Sequence, residues 1–303
     1  MAKGKTVSLV DVAYCASPSP GFDVTSSLKR LDEDCNLLWE NGVFSRPYLR
    51  LDWAPDITLY RGVGWGAPDR LYNREAQGVM EWWTAAPRAQ LTIIVGNEPN
   101  MTNINPADVA SAVKDIVAIR DILGYDVRVF APAIAPWNPN NVPDPADFYP
   151  SPRGASTEWE NQQYGLARRL ADVNLDGYAI HAYGRPWHIF DREEPFRYTL
   201  FDQRGASNGF LWLQNAKDAI RKGDPRELAL AITETNTFTD RHTSESYPGG
   251  WLQNAAVQAE RFGAESLSVF VGEPHGEGWA QESTKLRIGQ CAVEDDDFNS
   301  LIR

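Results

Sequence analysis

Two apolar runs, each closing on a carboxylate, constrain this chain most. Leu91-Thr92-Ile93-Ile94-Val95 leads into Gly96-Asn97-Glu98-Pro99-Asn100, and Leu228-Ala229-Leu230-Ala231-Ile232 leads into Thr233-Glu234-Thr235-Asn236. A short, unbroken apolar run bounded by turn residues reads as a buried strand. Each such strand delivers one glutamate at its C-terminal end. Around them strand-like and helix-like patterns alternate, the order expected of parallel β/α units.

The spacing predicts further strands over 6–13, 47–53, 57–63, 127–133, 175–183 and 267–271. Almost nothing separates the strand at 57–63 from the one before it, whereas a parallel crossover takes about a dozen residues or more. The second helix is therefore expected to be irregular or missing. Helices are expected near 24–39 (Asp23 as cap, Gly42 as stop), 73–85, 157–173, 207–221 and 251–262. One more is expected between Asn105-Pro106, a cap with proline in the first turn, and Gly124. On this count the Glu98 strand is fourth and the Glu234 strand seventh, with 267–271 eighth. Segments ahead of strands are short, while those behind them are long, at 136–156, 184–206 and 235–250. In a barrel the loops behind the strands carry the active site.

A chain of 303 residues suits one barrel domain over 1–303, since such barrels run to about 250 residues or more. The net charge of −12 argues against a nucleic-acid binder or an anionic-membrane binder. Cys15, Cys35 and Cys291 have no metal-ligand spacing and read as small buried thiols. No leader pattern and no run of about 18 apolar residues is present, so a soluble, cytoplasmic chain is expected. A secreted form stripped of its leader, or a phage product freed by lysis, would read the same way. There is no HxH pair, HExxH or GxSxG, and Gly62-Val63-Gly64-Trp65-Gly66 is neither a dinucleotide fingerprint nor a P-loop. No metal and no cofactor is expected.

The wording Asn97-Glu98-Pro99 and Ile232-Thr233-Glu234 resembles the retaining glycoside hydrolases built on a (β/α)8 barrel. In that superfamily the acid/base ends the fourth strand and the nucleophile the seventh. The resemblance implies an α/β fold, a single (β/α)8 TIM barrel, acting on a β-linked carbohydrate. It gives Glu98 the acid/base role, Glu234 the nucleophile role, and Asn97 a contact to the sugar 2-hydroxyl. Ile180-His181-Ala182-Tyr183-Gly184 ends the sixth strand, where the superfamily supplies a His or Tyr beside the nucleophile. Tyr183 is the candidate donor to Glu234, and His181 the candidate wall of the sugar subsite.

Arg50 matches an arginine that such barrels carry on the second strand, paired with the nucleophile. An arginine in an apolar strand needs a carboxylate partner, and Glu234 and the local Asp52 both qualify. A register shifted by one residue would turn Arg50 toward the helices. Trp279, behind the eighth strand, matches the superfamily's sugar-platform tryptophan. Trp137 and Trp187 in the long loops are further candidates, because sugar C–H faces pack on flat aromatic rings. Two other readings stay open: a carbohydrate-binding barrel without catalysis, and a different barrel hydrolase in which both glutamates are structural.

Overall fold

Asp23 starts the first helix by accepting a hydrogen bond from the Ser26 amide at 3.0 Å, and the chain leaves that helix through Gly42 at φ +73°. A computed structural model of the protein describes residues 6–14, 23–53, 70–102, 104–134, 145–152, 158–184, 210–237 and 259–269. Strands β1 (Thr6–Tyr14), β2 (Phe44–Asp52), β3 (Thr92–Val95) and β4 (Arg128–Ala131) alternate with helices α1 (Val24–Glu40), α2 (Arg70–Thr84) and α3 (Pro106–Leu123). Helix α4 (Glu158–Leu170), β5 (Gly177–Gly184), helix α5 (Phe210–Gly223), β6 (Ala229–Thr237) and β7 (Ser266–Val269) follow.

The described strands form one seven-stranded sheet in the order β1-β2-β3-β4-β5-β6-β7. A doubly wound sheet reverses its order at a switch point. This order never reverses, and a helix lies in turn between each pair of successive strands from β1 to β6. That is the plan of a (β/α)8-type TIM barrel.

One expectation is corrected. β2 pairs directly with β3, in the register Tyr48↔Thr92 to Leu51↔Val95. A strand at 57–63 has no room between them; the segment itself lies outside the described residues. The crossover from β2 to β3 carries a regular helix, α2, so the second helix is neither irregular nor missing. The Glu98 and Glu234 strands become third and sixth among the described strands, still three apart.

The described chain divides into two compact units. One is drawn from Gly4–Ala179 and Ala216–Ala229, the other from Ile180–Asn215 and Leu230–Arg303. In the first unit the two faces of β2 are distinguishable. Trp53 follows the strand and meets the Tyr72 ring of α2 at 5.7 Å. With its period-two neighbours Leu49 and Leu51 it therefore faces the helices. Tyr48 faces the other way and reaches over β3 to Phe130 of β4, ring centroids 6.1 Å apart. Arg50 and Asp52 share the Tyr48 face, away from the helices. Helix α4 lays Trp159, Gln163, Leu166, Ala167 and Leu170 along one buried stripe, the i, i+4, i+7, i+8, i+11 spacing of a core-facing helix. Cys35 is a buried free thiol, and burial raises its pKa. Among the described residues no helix is long and apolar enough to cross a membrane.

Candidate active site

The chain leaves β3 by a sharply bent path. Gly96 has φ +85°, and its amide donates to the Leu51 carbonyl at 2.9 Å. A Cβ on Gly96 would stand 2.2 Å from the Trp53 ring, so the residue has to be glycine. Two residues on, Glu98 has φ +40° and is the non-glycine residue with positive φ among those described. A bulky side chain in that region is uncommon, and such conformations cluster at functional sites. The Glu98 amide donates to the Ala133 carbonyl just beyond β4, at 3.0 Å. A 3-10 turn, Pro99–Thr102, follows at once. The backbone carrying Glu98 is thus pinned to two strand exits, while its side chain stays half-buried. The Oδ1 of neighbouring Asn97 is buried and, among the described residues, accepts no hydrogen bond.

Arg50 and Asp52 belong to the same unit. Arg50 Nε lies 3.6 Å from Asp52 Oδ2, with both side chains almost wholly buried. The carboxylate two residues along the strand is therefore a partner of Arg50, and the strand register turns Arg50 away from the helices.

The second unit holds the other glutamate. Glu234 is 5% exposed on β6, and His181 is 1% exposed on β5. His181 Nδ1 stands 3.4 Å from Glu234 Oε2. A buried carboxylate is costly without compensating partners, and the His181 imidazole on the neighbouring strand stands within ion-pair distance. Tyr183 lies in β5, but its side chain is outside the described residues, as are Trp137, Trp187 and Trp279 altogether.

The β6–β7 ladder shifts register beside Glu234. Ile232 pairs with Leu267 and Thr235 with Val269, so Thr233 and Glu234 together oppose Ser268. Such bulges re-aim side chains and recur beside active sites. The shift is not visible in the sequence. The one signal was Ser266-Leu267-Ser268, a polar alternation in a strand expected to be buried.

No protein-family model and no curated protein sequence matches this chain. Solved structures do match. A glucosidase from Croceicoccus marinus aligns with 99% of this chain and 60% of its own, at a TM-score of 0.61 and 10% identity. A GH39 enzyme from Xanthomonas axonopodis pv. citri aligns with 88% of this chain and 58% of its own, at 0.52 and 12% identity. A GH5 cellulase from an Icelandic hot spring isolate aligns with 97% and 78%, at 0.51 and 13% identity. This chain spans about 60% of the length of the glucosidase. At such identities the likeness is one of fold, and fold alone does not fix function. The chain has the parallel (β/α)8-type barrel fold that these glycoside hydrolases share.

Proposed function

We propose that this protein hydrolyses a β-linked glycoside with retention of configuration. The observation that carries the reading is the contrast between two glutamates toward the C-terminal ends of their strands. Glu234 is buried and held by His181, an environment for a carboxylate that stays aimed. Glu98 is half-buried on a strained, pinned turn, an environment that solvent and a leaving group can reach. Two carboxylates in different surroundings are what acid/base and nucleophile roles require.

In this proposal the Glu98 carboxylic acid gives its proton to the leaving oxygen while the Glu234 carboxylate attacks the anomeric carbon. The glycosidic bond breaks, the alcohol departs with the proton, and a glycosyl ester forms on Glu234. Glu98, now a carboxylate, takes a proton from water. The resulting hydroxide equivalent attacks the anomeric carbon and returns Glu234 to its anionic state. Asn97 holds the 2-hydroxyl, Arg50, His181 and Tyr183 line the sugar subsite, and Trp279, Trp137 and Trp187 offer ring platforms. The residues in these roles need neither metal nor cofactor.

A panel of aryl β-glycosides tests the reading. Glu98→Ala and Glu234→Ala are each expected to lower turnover by about 10²-fold or more with the fold preserved by circular dichroism. Azide is expected to restore part of the Glu234→Ala activity and to give a glycosyl azide of inverted configuration. Unchanged turnover in either variant overturns the assignment. A crystal structure measures the carboxylate separation: about 5–5.5 Å fits retention, whereas about 6.5–9.5 Å would make the enzyme inverting.

A further inference from the structure

Thr233, Ser266 and Ser268 are 3%, 8% and 8% exposed, and among the described residues their hydroxyl oxygens have no hydrogen-bond partner. Unpaired buried hydroxyls cost free energy, so three in one place on two adjacent strands call for a reason. Their placement follows from the register. Ala231 pairs with Ser266 and Ile232 with Leu267, so Ala231 and Ser266 share one face of the sheet. Side chains alternate, which puts Thr233 and Ser268 on that face and Leu267 on the other. Beyond the shift Thr235 pairs with Val269, which is on the Leu267 face. Counting back from Thr235, Glu234 falls on the face of Ser268. The bulge thus turns Thr233 and Glu234 to the same side, with Ser268 directly across on the neighbouring strand, about 4.8 Å away backbone to backbone.

We infer that Ser268 is a positioning residue for Glu234: its hydroxyl, carried across the bulge, donates to the anionic carboxylate, with Thr233 as the adjoining donor. A serine side chain can occupy three staggered χ1 wells, so the hydroxyl is free to turn without moving the backbone. His181 approaches the same carboxylate from β5, so β5 and β7 would hold it from two sides. The contact does not depend on what Glu234 does; only its effect on turnover rests on the reading of Glu234 as nucleophile.

The placement is tested without substrate, on the full chain labelled with ¹³C at glutamate carboxyls. The Glu234 resonance is identified by its loss in Glu234→Gln. His181 is a described titratable group that stands close to this carboxylate, so each titration is repeated in His181→Gln. Removing a donor to the charged form raises a carboxyl pKa. Ser268→Ala is therefore expected to move the Glu234 midpoint upward in both backgrounds, and Ser268→Thr, which keeps the hydroxyl, to leave it in place. An unmoved midpoint in Ser268→Ala overturns the inference. So does a simple gain in melting temperature with an unmoved midpoint, the mark of an idle buried hydroxyl. In turnover assays Ser268→Ala is expected to lower kcat about ten-fold with KM unchanged, the size of one charge-assisted hydrogen bond. If Glu234→Gln leaves turnover intact, the nucleophile reading fails, and the carboxyl titration still decides the contact.

Discussion

At the scale of single residues, the exit of β3 depends on the missing side chain of Gly96. Its φ of +85° excludes most L-residues, and the Trp53 ring occupies the space a Cβ would need, at 2.2 Å. Trp53 cannot easily retreat, because it is buried against Tyr72, whose hydroxyl donates to the Leu51 carbonyl at 2.6 Å. Gly96→Ala therefore meets backbone strain and overpacking together. The expected loss is about 3 kcal/mol, read from urea unfolding. Turnover should fall too, since Glu98 is two residues on. A Trp53→Ala change in the same chain should return part of the lost stability, because residues in contact couple. No recovery at all would put the whole cost in the backbone.

At the scale of elements, α3 shows how local chemistry sets a boundary. The Asn105 side chain accepts from the amides of Ala107 and Asp108, both at 2.9 Å, Pro106 takes the first position, and Gly124 closes the helix at φ +70°. Asn105→Ala removes the cap and is expected to cost about 1 kcal/mol, a fall of roughly 2–4 °C in melting temperature. Boundaries of this kind were legible in the sequence, because a cap, a proline and a glycine act on their immediate neighbours. The glutamate-bearing strands were legible too, from continuous apolar runs. The strand expected at 57–63 was not a sound reading. Its apolar residues satisfied a local pattern, but pairing is non-local, and β3 already fills the edge of β2. The bulge at Thr233 and Glu234 was invisible for a related reason: one extra residue on a strand leaves composition and local pattern unchanged and shows only against the partner strand. Arg50 lay between these cases, since its face depended on a register that only Tyr48 and Trp53, once packed, could settle.

At the scale of the whole molecule, the connections ahead of the strands do different work from those behind them. Glu98, His181 and Glu234 sit toward the C-terminal ends of their strands. The segments that enter β5 and β6 instead carry buried charge. Asp224, 1% exposed, accepts from Arg226 at 2.6 and 2.8 Å and from the Tyr178 hydroxyl at 2.9 Å. Arg226 also donates to the carbonyls of Val173 and Leu170, at 2.5 and 2.9 Å, tying the end of α4 to the start of β6. Burial and the Asp224 charge push the Tyr178 hydroxyl far up, so it remains a donor. Burial alone would raise the Asp224 pKa, but the hydrogen bonds from Arg226 and Tyr178 outweigh it and hold the carboxyl below its usual range. The sign follows from linkage. A depressed carboxyl contributes stability above its unfolded pKa of about 4, and that contribution is lost as pH falls through the lower folded value. Arg226→Ala removes the main stabilising partner and leaves a buried carboxylate, at an expected cost of about 3 kcal/mol at pH 7. In that variant burial dominates and the Asp224 pKa rises above its unfolded value, so protonation now relieves the folded state. Melting temperatures of wild type and Arg226→Ala, measured from pH 7 down to about pH 4.5, should converge as the pH falls, with the variant's kcat close to wild type at 25 °C. A gap that stays constant over that range would show that Arg226 stabilises the fold through its carbonyl contacts and not through Asp224.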